Sequence, residues 1–228
     1  MTLAYRAATS LVKGAIRILC RVDDSQTSRV PPHGPLIIAA NHINFLEVPL
    51  IYTHLQPRPL TGFAKAETWS NPLLRPLAEL WGGIPLHRGE ADAAAFRRAL
   101  EALEAGRIVA VAPEGTRSGD GRLQRGRPGI ITLALRSHAP ILPLAHYGGE
   151  QFWHNLRHLR RTEFRIVVGE PFVLDLGGAQ ATRALRQAMA DCIMQRIADL
   201  LPPAYRGVYA ETTGQTCPHL RPWTPPSA

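Results

Sequence analysis

The chain has 228 residues, 45% of them hydrophobic, with 26 basic against 18 acidic residues and a formal net charge of +8. It is long enough to bury one substantial core and fits a single domain better than two. Only Lys13 and Lys65 are lysines, so nearly all the positive charge is guanidinium, which holds phosphate by a planar bidentate fork and favours phosphate substrates, an anionic membrane surface or nucleic acid. An arginine-rich genome gives the same bias. Cys20, Cys192 and Cys217 are odd in number and far apart, with no CxxC pair, so neither a disulfide framework nor a zinc site is indicated. No signal-peptide pattern is read at the start, and the chain is expected to face the cytosol.

In chain order, residues 1–22 predict a basic amphipathic helix. Arg6, Ser10, Lys13, Arg17 and Arg21 recur at steps of three or four, while Leu3, Leu11, Val12, Ile18 and Leu19 lie mostly elsewhere on the surface. Spanning a bilayer would place several cations in hydrocarbon at roughly 2.5 to 3.5 kcal/mol each. Lying in the interface gains about 1 kcal/mol per cation from anionic lipid and buries the apolar face. A helix packed on its own domain with its arginines in water is the alternative.

Apolar runs bounded by turn signals then predict strands at Leu36–Ala40, Leu60–Ala64, Gly83–Leu86, Ile108–Ala112, Ile141–Ala145 and Phe164–Val168. Helices alternate with them. Asn71-Pro72 reads as an N-cap with proline at the first helical position, opening a helix to about Leu80. Further helices are predicted from Glu90 to Ala105, stopped by Gly106, from Ile130 to Arg136, and from Thr182 to Leu200 with Leu185, Met189, Ile193 and Ile197 as the buried stripe. This alternation argues an α/β single domain with a mixed, partly parallel central sheet flanked by helices. Residues 202–228, rich in proline, read as an extended or disordered C-terminal extension.

The segment Asn41-His42-Ile43-Asn44-Phe45-Leu46-Glu47 follows the first of these strands. It pairs a possible base, His42, with a carboxylate, Glu47, that could fix its tautomer and stabilise the imidazolium. Five residues of straight helix turn the chain by about 140°, so the backbone must bend between the two. A second element, Gly82 to Arg88, carries an arginine out of a strand end. A third, Pro113-Glu114-Gly115-Thr116-Arg117-Ser118, again follows a strand. There Arg117 suits a phosphate, Gly115 admits close backbone approach, Thr116 offers a hydroxyl, and Glu114 could position Arg117 or a substrate hydroxyl. In open α/β sheets ligands collect beyond the carboxyl ends of strands, which would bring these motifs to one crevice.

Taken in order, "NHINFLE", "GIPLHR", "PEGTRS" and "PILPL" resemble the four blocks of the glycerolipid acyltransferases, typified by the 1-acylglycerol-3-phosphate type. The resemblance covers roughly residues 36–148, and "LQRGRPGIITLAL" is similar to the basic, glycine-containing helix after the third block. One departure is visible: position 47 is Glu where the family usually has Asp, one methylene longer. The resemblance implies acyl transfer from a thioester donor, acyl-CoA or acyl carrier protein, to the hydroxyl of a lysophospholipid acceptor, giving phosphatidate. His42 is then the general base, Glu47 its orienting partner, and Arg117, Gly115 and Thr116, assisted by Arg88, hold the acceptor's phosphate. The hydroxyl attacks the thioester directly, in agreement with the lack of a G-x-S-x-G elbow. No cofactor or metal is called for. The implied organisation is a membrane-contacting helix at 1–22, an acyltransferase domain at 30–201 and the extension at 202–228, peripheral on the cytoplasmic face of a membrane. Competing readings are another lysophospholipid, glycolipid or acylated-amine acceptor, or an inactive basic lipid-binding module. Nucleic acid is not expected, because no helix-turn-helix, zinc or aromatic stacking signature is present.

Overall fold

A computed structural model describes residues 3–87, 92–212, 214 and 216–224. Its strands are β1 (Cys20–Asp23), β2 (Leu36–Ala40), β3 (Leu60–Lys65), β4 (Ile84–Leu86), β5 (Ile108–Val111), β6 (Ile141–Tyr147), β7 (Thr162–Val168), β8 (Phe172–Leu174) and β9 (Leu220–Pro222). They form one sheet in the order β1-β7-β6-β2-β5-β3-β4, with β8 on β6 and β9 on β8. The run β6-β2-β5-β3-β4 is parallel throughout, while β7 and β8 are antiparallel to β6. The expected α/β domain with a mixed, partly parallel sheet is therefore present, and most of the sheet is parallel. Strand β2 is buried on both sides, which is why its sequence is a continuous apolar run and not an alternating one.

Helices α1 (Leu3–Leu19), α2 (Glu47–His54), α3 (Arg75–Leu80), α4 (Ala93–Glu104), α5 (Gly129–Ser137), α6 (Phe152–Arg157) and α7 (Arg183–Asp199) cover the sheet. Alternate residues of β2 divide the core in two. Ile37 and Ala39 face a layer built by α4, α5 and α7, and Leu36, Ile38 and Ala40 face a layer that includes Ile16 of α1, Leu50 of α2 and Phe152 of α6. Local signals set the helix ends. Asp92 Oδ1 accepts from Ala95 N at 2.9 Å and Thr182 Oγ1 from Leu185 N at 3.2 Å, capping α4 and α7, whereas Asn71 Oδ1 accepts from the Leu73 and Leu74 amides in a turn, and α3 begins at Arg75, later than Asn71-Pro72 predicts. Gly106, at φ 70°, stops the chain after α4.

Several expectations are revised. The N-terminal helix ends at Leu19, because Cys20–Asp23 leaves it to pair in parallel with β7. Helix α1 packs one face on the domain and leaves the other open. Thr9 and Ile16 are buried against the domain, yet Leu3, Leu11 and Ile18 remain 83%, 76% and 74% exposed on the outer face. Helix α2 was not foreseen; Pro49 sits in its first turn, where a missing amide proton costs no intrahelical bond. The described part of residues 202–228 is neither extended nor loose. It turns back through 3-10 turns at Pro203–Tyr205 and Gly207–Tyr209 and ends in β9, paired on β8. This return brings Cys217 to Cys192 of α7 in a disulfide, Cα atoms 5.8 Å apart. Separation along the chain gave no hint of that pair because the tail's path did not show in its composition.

Candidate active site

Because β6, β2, β5, β3 and β4 run parallel, their carboxyl ends share one edge, and the segments that leave it carry the candidate residues. Asn41, just past β2, prolongs the pairing with β6 through its side chain. Its Nδ2 donates to the His146 carbonyl and its Oδ1 accepts from the His146 amide, both at 2.9 Å. The chain then bends through residues 42–46 and re-enters as α2, whose first residue is Glu47.

Glu47 is 3% exposed and reaches back over that bend. One carboxylate oxygen meets His42 Nδ1, and the other accepts from the Ile43 and Asn44 amides at 3.0 and 2.9 Å. A carboxylate only accepts, so His42 Nδ1 carries the proton and Nε2 keeps its lone pair. Burial alone would raise the Glu47 pKa; the bond from His42, the His146 and His42 rings and the Asn44 amide together outweigh it and hold the carboxyl below its ordinary value. From the first residue of α2 the Glu47 arm thus reaches both imidazole and loop.

Glu114 lies elsewhere than expected. It is 2% exposed, and its two oxygens accept from the His42 amide at 2.7 Å and the Gln124 amide at 2.9 Å. Through these two bonds it braces the His42 loop. Burial pushes its carboxyl up to about 7, against those two amides and with the Glu47 and Asp120 charges adding to the rise. The turn it belongs to is stitched to the histidine loop by Ser118 N to His42 O at 2.8 Å and Gly119 N to Ile43 O at 3.0 Å. Gly115 has φ 70°, and a Cβ there would lie 3.1 Å from Arg127 Cδ, so both conformation and close approach call for glycine. Thr116 is half-buried and Arg117 exposed on this same turn, beside the His42 loop. Arg88 lies outside the described residues.

His146 was missed. It sits in β6 with no exposed surface, its ring stacked on Phe164 at 5.5 Å between centroids, and Nε2 donates to Asn41 O at 2.7 Å while standing 3.7 Å from Glu47 Oε2. Burial pushes its pKa down, against the opposing pull of the Glu47 carboxylate that it stands behind. Its position at the end of "PILPLAH", a strand end like that of His42, was the available signal. Lys65, the last residue of β3, adds an exposed cation to the same edge.

Glu114 gives the fold a pH dependence. Its pKa is higher folded than unfolded, so its proton is held more tightly in the native state, and the stability it contributes is present below about 4.5 and lost as pH rises through about 7. Glu114→Gln sets an amide against one of the two backbone donors and is expected to cost about 1 to 3 kcal/mol. It should also remove a downward slope of unfolding free energy between these pH values in urea titrations. An unchanged slope would contradict the burial assigned to this carboxyl.

The Acyltransferase family model matches residues 21–147, the stretch that holds the whole arrangement. A 1-acyl-sn-glycerol-3-phosphate acyltransferase of Bacillus subtilis is 22% identical over 200 residues, 86% of this chain and 96% of that protein. Two others are matched over less than half their own length. The 1-acyl-sn-glycerol-3-phosphate acyltransferase of Limnanthes alba is 35% identical over 57% of this chain and 45% of its own, and the lyso-ornithine lipid O-acyltransferase of Pseudomonas aeruginosa is 31% identical over 50% and 43%. The crystal structure of a 1-acyl-sn-glycerophosphate acyltransferase from Thermotoga maritima shares the fold, with TM-score 0.62 and 22% identity over 86% of this chain and 79% of that one. A histidine oriented by a buried carboxylate at the edge of a parallel sheet, within the matched stretch, identifies the chain as a member of the Acyltransferase family, an O-acyltransferase.

Proposed function

We propose that the protein moves a fatty acyl group from a thioester donor, acyl-CoA or acyl carrier protein, to the free hydroxyl of 1-acylglycerol-3-phosphate, giving phosphatidate. The observation that carries this is the His42–Glu47 pair with its free Nε2, set beside the cationic Thr116–Arg117 turn. His42 Nε2 takes the proton of the glycerol hydroxyl as its oxygen attacks the thioester carbonyl. The ester C–O bond forms, the C–S bond breaks, and the imidazolium, stabilised by Glu47, returns the proton to the departing thiolate. Arg117 and Thr116, at the turn that Gly115 permits, hold the acceptor's phosphate, with Arg88 as an additional cation. Glu114 serves this binding at one remove, by fixing the loop. The names of the Bacillus subtilis and Limnanthes alba relatives support the acceptor. Lyso-ornithine lipid is the competing acceptor, on the 31% likeness to an enzyme named for it.

No described helix is long and apolar enough to cross a membrane. On the outer face of α1, Leu3, Leu11 and Ile18 recur at helical spacing, with Arg6 and Arg17 exposed along one flank. Phe45 and Val48, next to His42, and Trp153 of α6 are also exposed, and Phe45 and Trp153 touch at 5.4 Å. These features support peripheral binding to an anionic bilayer at its cytoplasmic face, with residues 1–22 as membrane contact, 30–201 as acyltransferase domain and 202–228 as an extension packed back upon it.

His42→Ala is expected to lower turnover of lysophosphatidate with a long-chain acyl thioester by about 10²-fold or more, with thermal unfolding unchanged. Retained turnover would remove the base assignment. A Leu11→Ser, Ile18→Ser double variant is expected to bind vesicles containing anionic lipid at least about tenfold more weakly while its turnover of detergent-dispersed substrate persists. Equal vesicle binding would assign those side chains no part in membrane contact.

A further inference from the structure

On the face of the sheet opposite α1 and α2, a cavity of about 810 Å³ opens between the third-block turn and the first turn of α7. Arg125, Arg127 and Arg183 line it, with Thr116 and Gln187, and it runs inward as far as Glu114, whose other contact is the His42 amide. Arg125 stands 3.8 Å from Asp191, which is also engaged by Gln187 Nε2 and the Tyr209 hydroxyl. Among the described residues no carboxylate pairs with Arg127 or Arg183. Each of the three side chains is exposed, and the acids near them are Asp191, shared with Gln187 and Tyr209, and the buried Glu114 at the inner end of the cavity, so the guanidinium groups around this hollow outnumber the carboxylates beside them. Such a grouping repels itself unless an anion is bound there, and guanidinium is the side chain best matched to phosphate oxygens.

We propose that this cavity binds the phosphate-bearing end of the thioester donor, that is, a phosphopantetheine arm or the nucleotide attached to it. This rests on the acyl-transfer reading above. Two observations favour donor over acceptor. The cavity lies on the α4, α5 and α7 side of the sheet, whereas the exposed apolar side chains from which a lysolipid would enter, Phe45, Val48, Trp153 and the outer stripe of α1, belong to the other layer. The His42 loop stands at the edge between them, so the two substrates reach Nε2 from opposite sides. The charge also exceeds what one headgroup uses: three guanidinium groups surround a space far larger than a phosphomonoester, which already has Arg117 on the neighbouring turn.

The test is an Arg125→Ala, Arg183→Ala variant of the full chain, both side chains being exposed and remote from the core. Its KM for acyl-CoA and for acyl-phosphopantetheine is expected to rise at least about tenfold. Its KM for lysophosphatidate, and its kcat/KM with an acyl-pantetheine thioester that lacks phosphate, should stay at the wild-type values. A rise in KM for lysophosphatidate alone would assign the cavity to the acceptor, and no change in any KM would leave it without a phosphate; either overturns the proposal. Calorimetric titration of both proteins with CoA needs no turnover. If CoA binds the wild type and at least about tenfold more weakly to the variant while neither acylates lysophosphatidate, the acceptor assignment fails and the donor cavity stands. Equal CoA affinity of the two proteins, or no binding by either, overturns it.

Discussion

The buried carboxylate of Glu47 is the constraint around which the active edge is arranged. A loop of irregular backbone cannot hold an imidazole in one orientation unless its own polar groups are satisfied, and here one side chain does both tasks. Its oxygens take His42 Nδ1 and the amides of Ile43 and Asn44, so ring and backbone are fixed together. Burying a charge is costly unless it is fully bonded, and His42 and the Ile43 and Asn44 amides supply those bonds to Glu47. Glu114 repeats the device one strand away, bonding the His42 amide from β5's turn. Asn44 completes it by donating to Gly149 O at 2.7 Å, which ties the loop to the end of β6. The His42 loop is thereby held by the segments leaving three adjacent strands.

This arrangement explains why a parallel sheet suits the chemistry. Parallel strands bring the ends of β2, β5 and β6 to one edge, where a base, a cationic turn and a supporting histidine can meet although they are more than a hundred residues apart at the extremes. The same sheet separates two environments. One layer presents the apolar and basic surface of α1 with Phe45 and Trp153, the other the arginine-lined cavity beside α7. In the proposed reaction, this separation lets a lipid and a water-soluble thioester approach the edge without sharing a path.

Much of this was legible in the sequence for identifiable physical reasons. Strands buried on both faces are contiguous apolar runs, so β2, β5 and β6 stood out, and Gly106 marked the end of α4. The bend between His42 and Glu47 followed from their spacing alone. What stayed hidden depends on contacts distant in sequence. The bond from His42 N to Glu114 spans 72 residues, and nothing local to Glu114 distinguishes a brace from a ligand. His146 looked like an ordinary strand residue, and Arg125, Arg127 and Arg183 converge only because α7 packs beside the turn after β5. β1 was absorbed into the preceding helix because Cys20 to Val22 continues its pattern, and the pairing of β9 on β8 could not be read from three residues.

The account stands on His42 presenting an unprotonated Nε2, with its proton held on Nδ1 by Glu47. Nitrogen-15 NMR of the histidine-labelled full chain, assigned with His42→Ala, reads this tautomer directly near neutral pH. The expected result is an Nδ1–H imidazole whose Nε2 resonance is that of a bare lone pair. A neutral His42 with its proton on Nε2 and a bare Nδ1 would contradict the orientation by Glu47 and with it the assignment of His42 as the base.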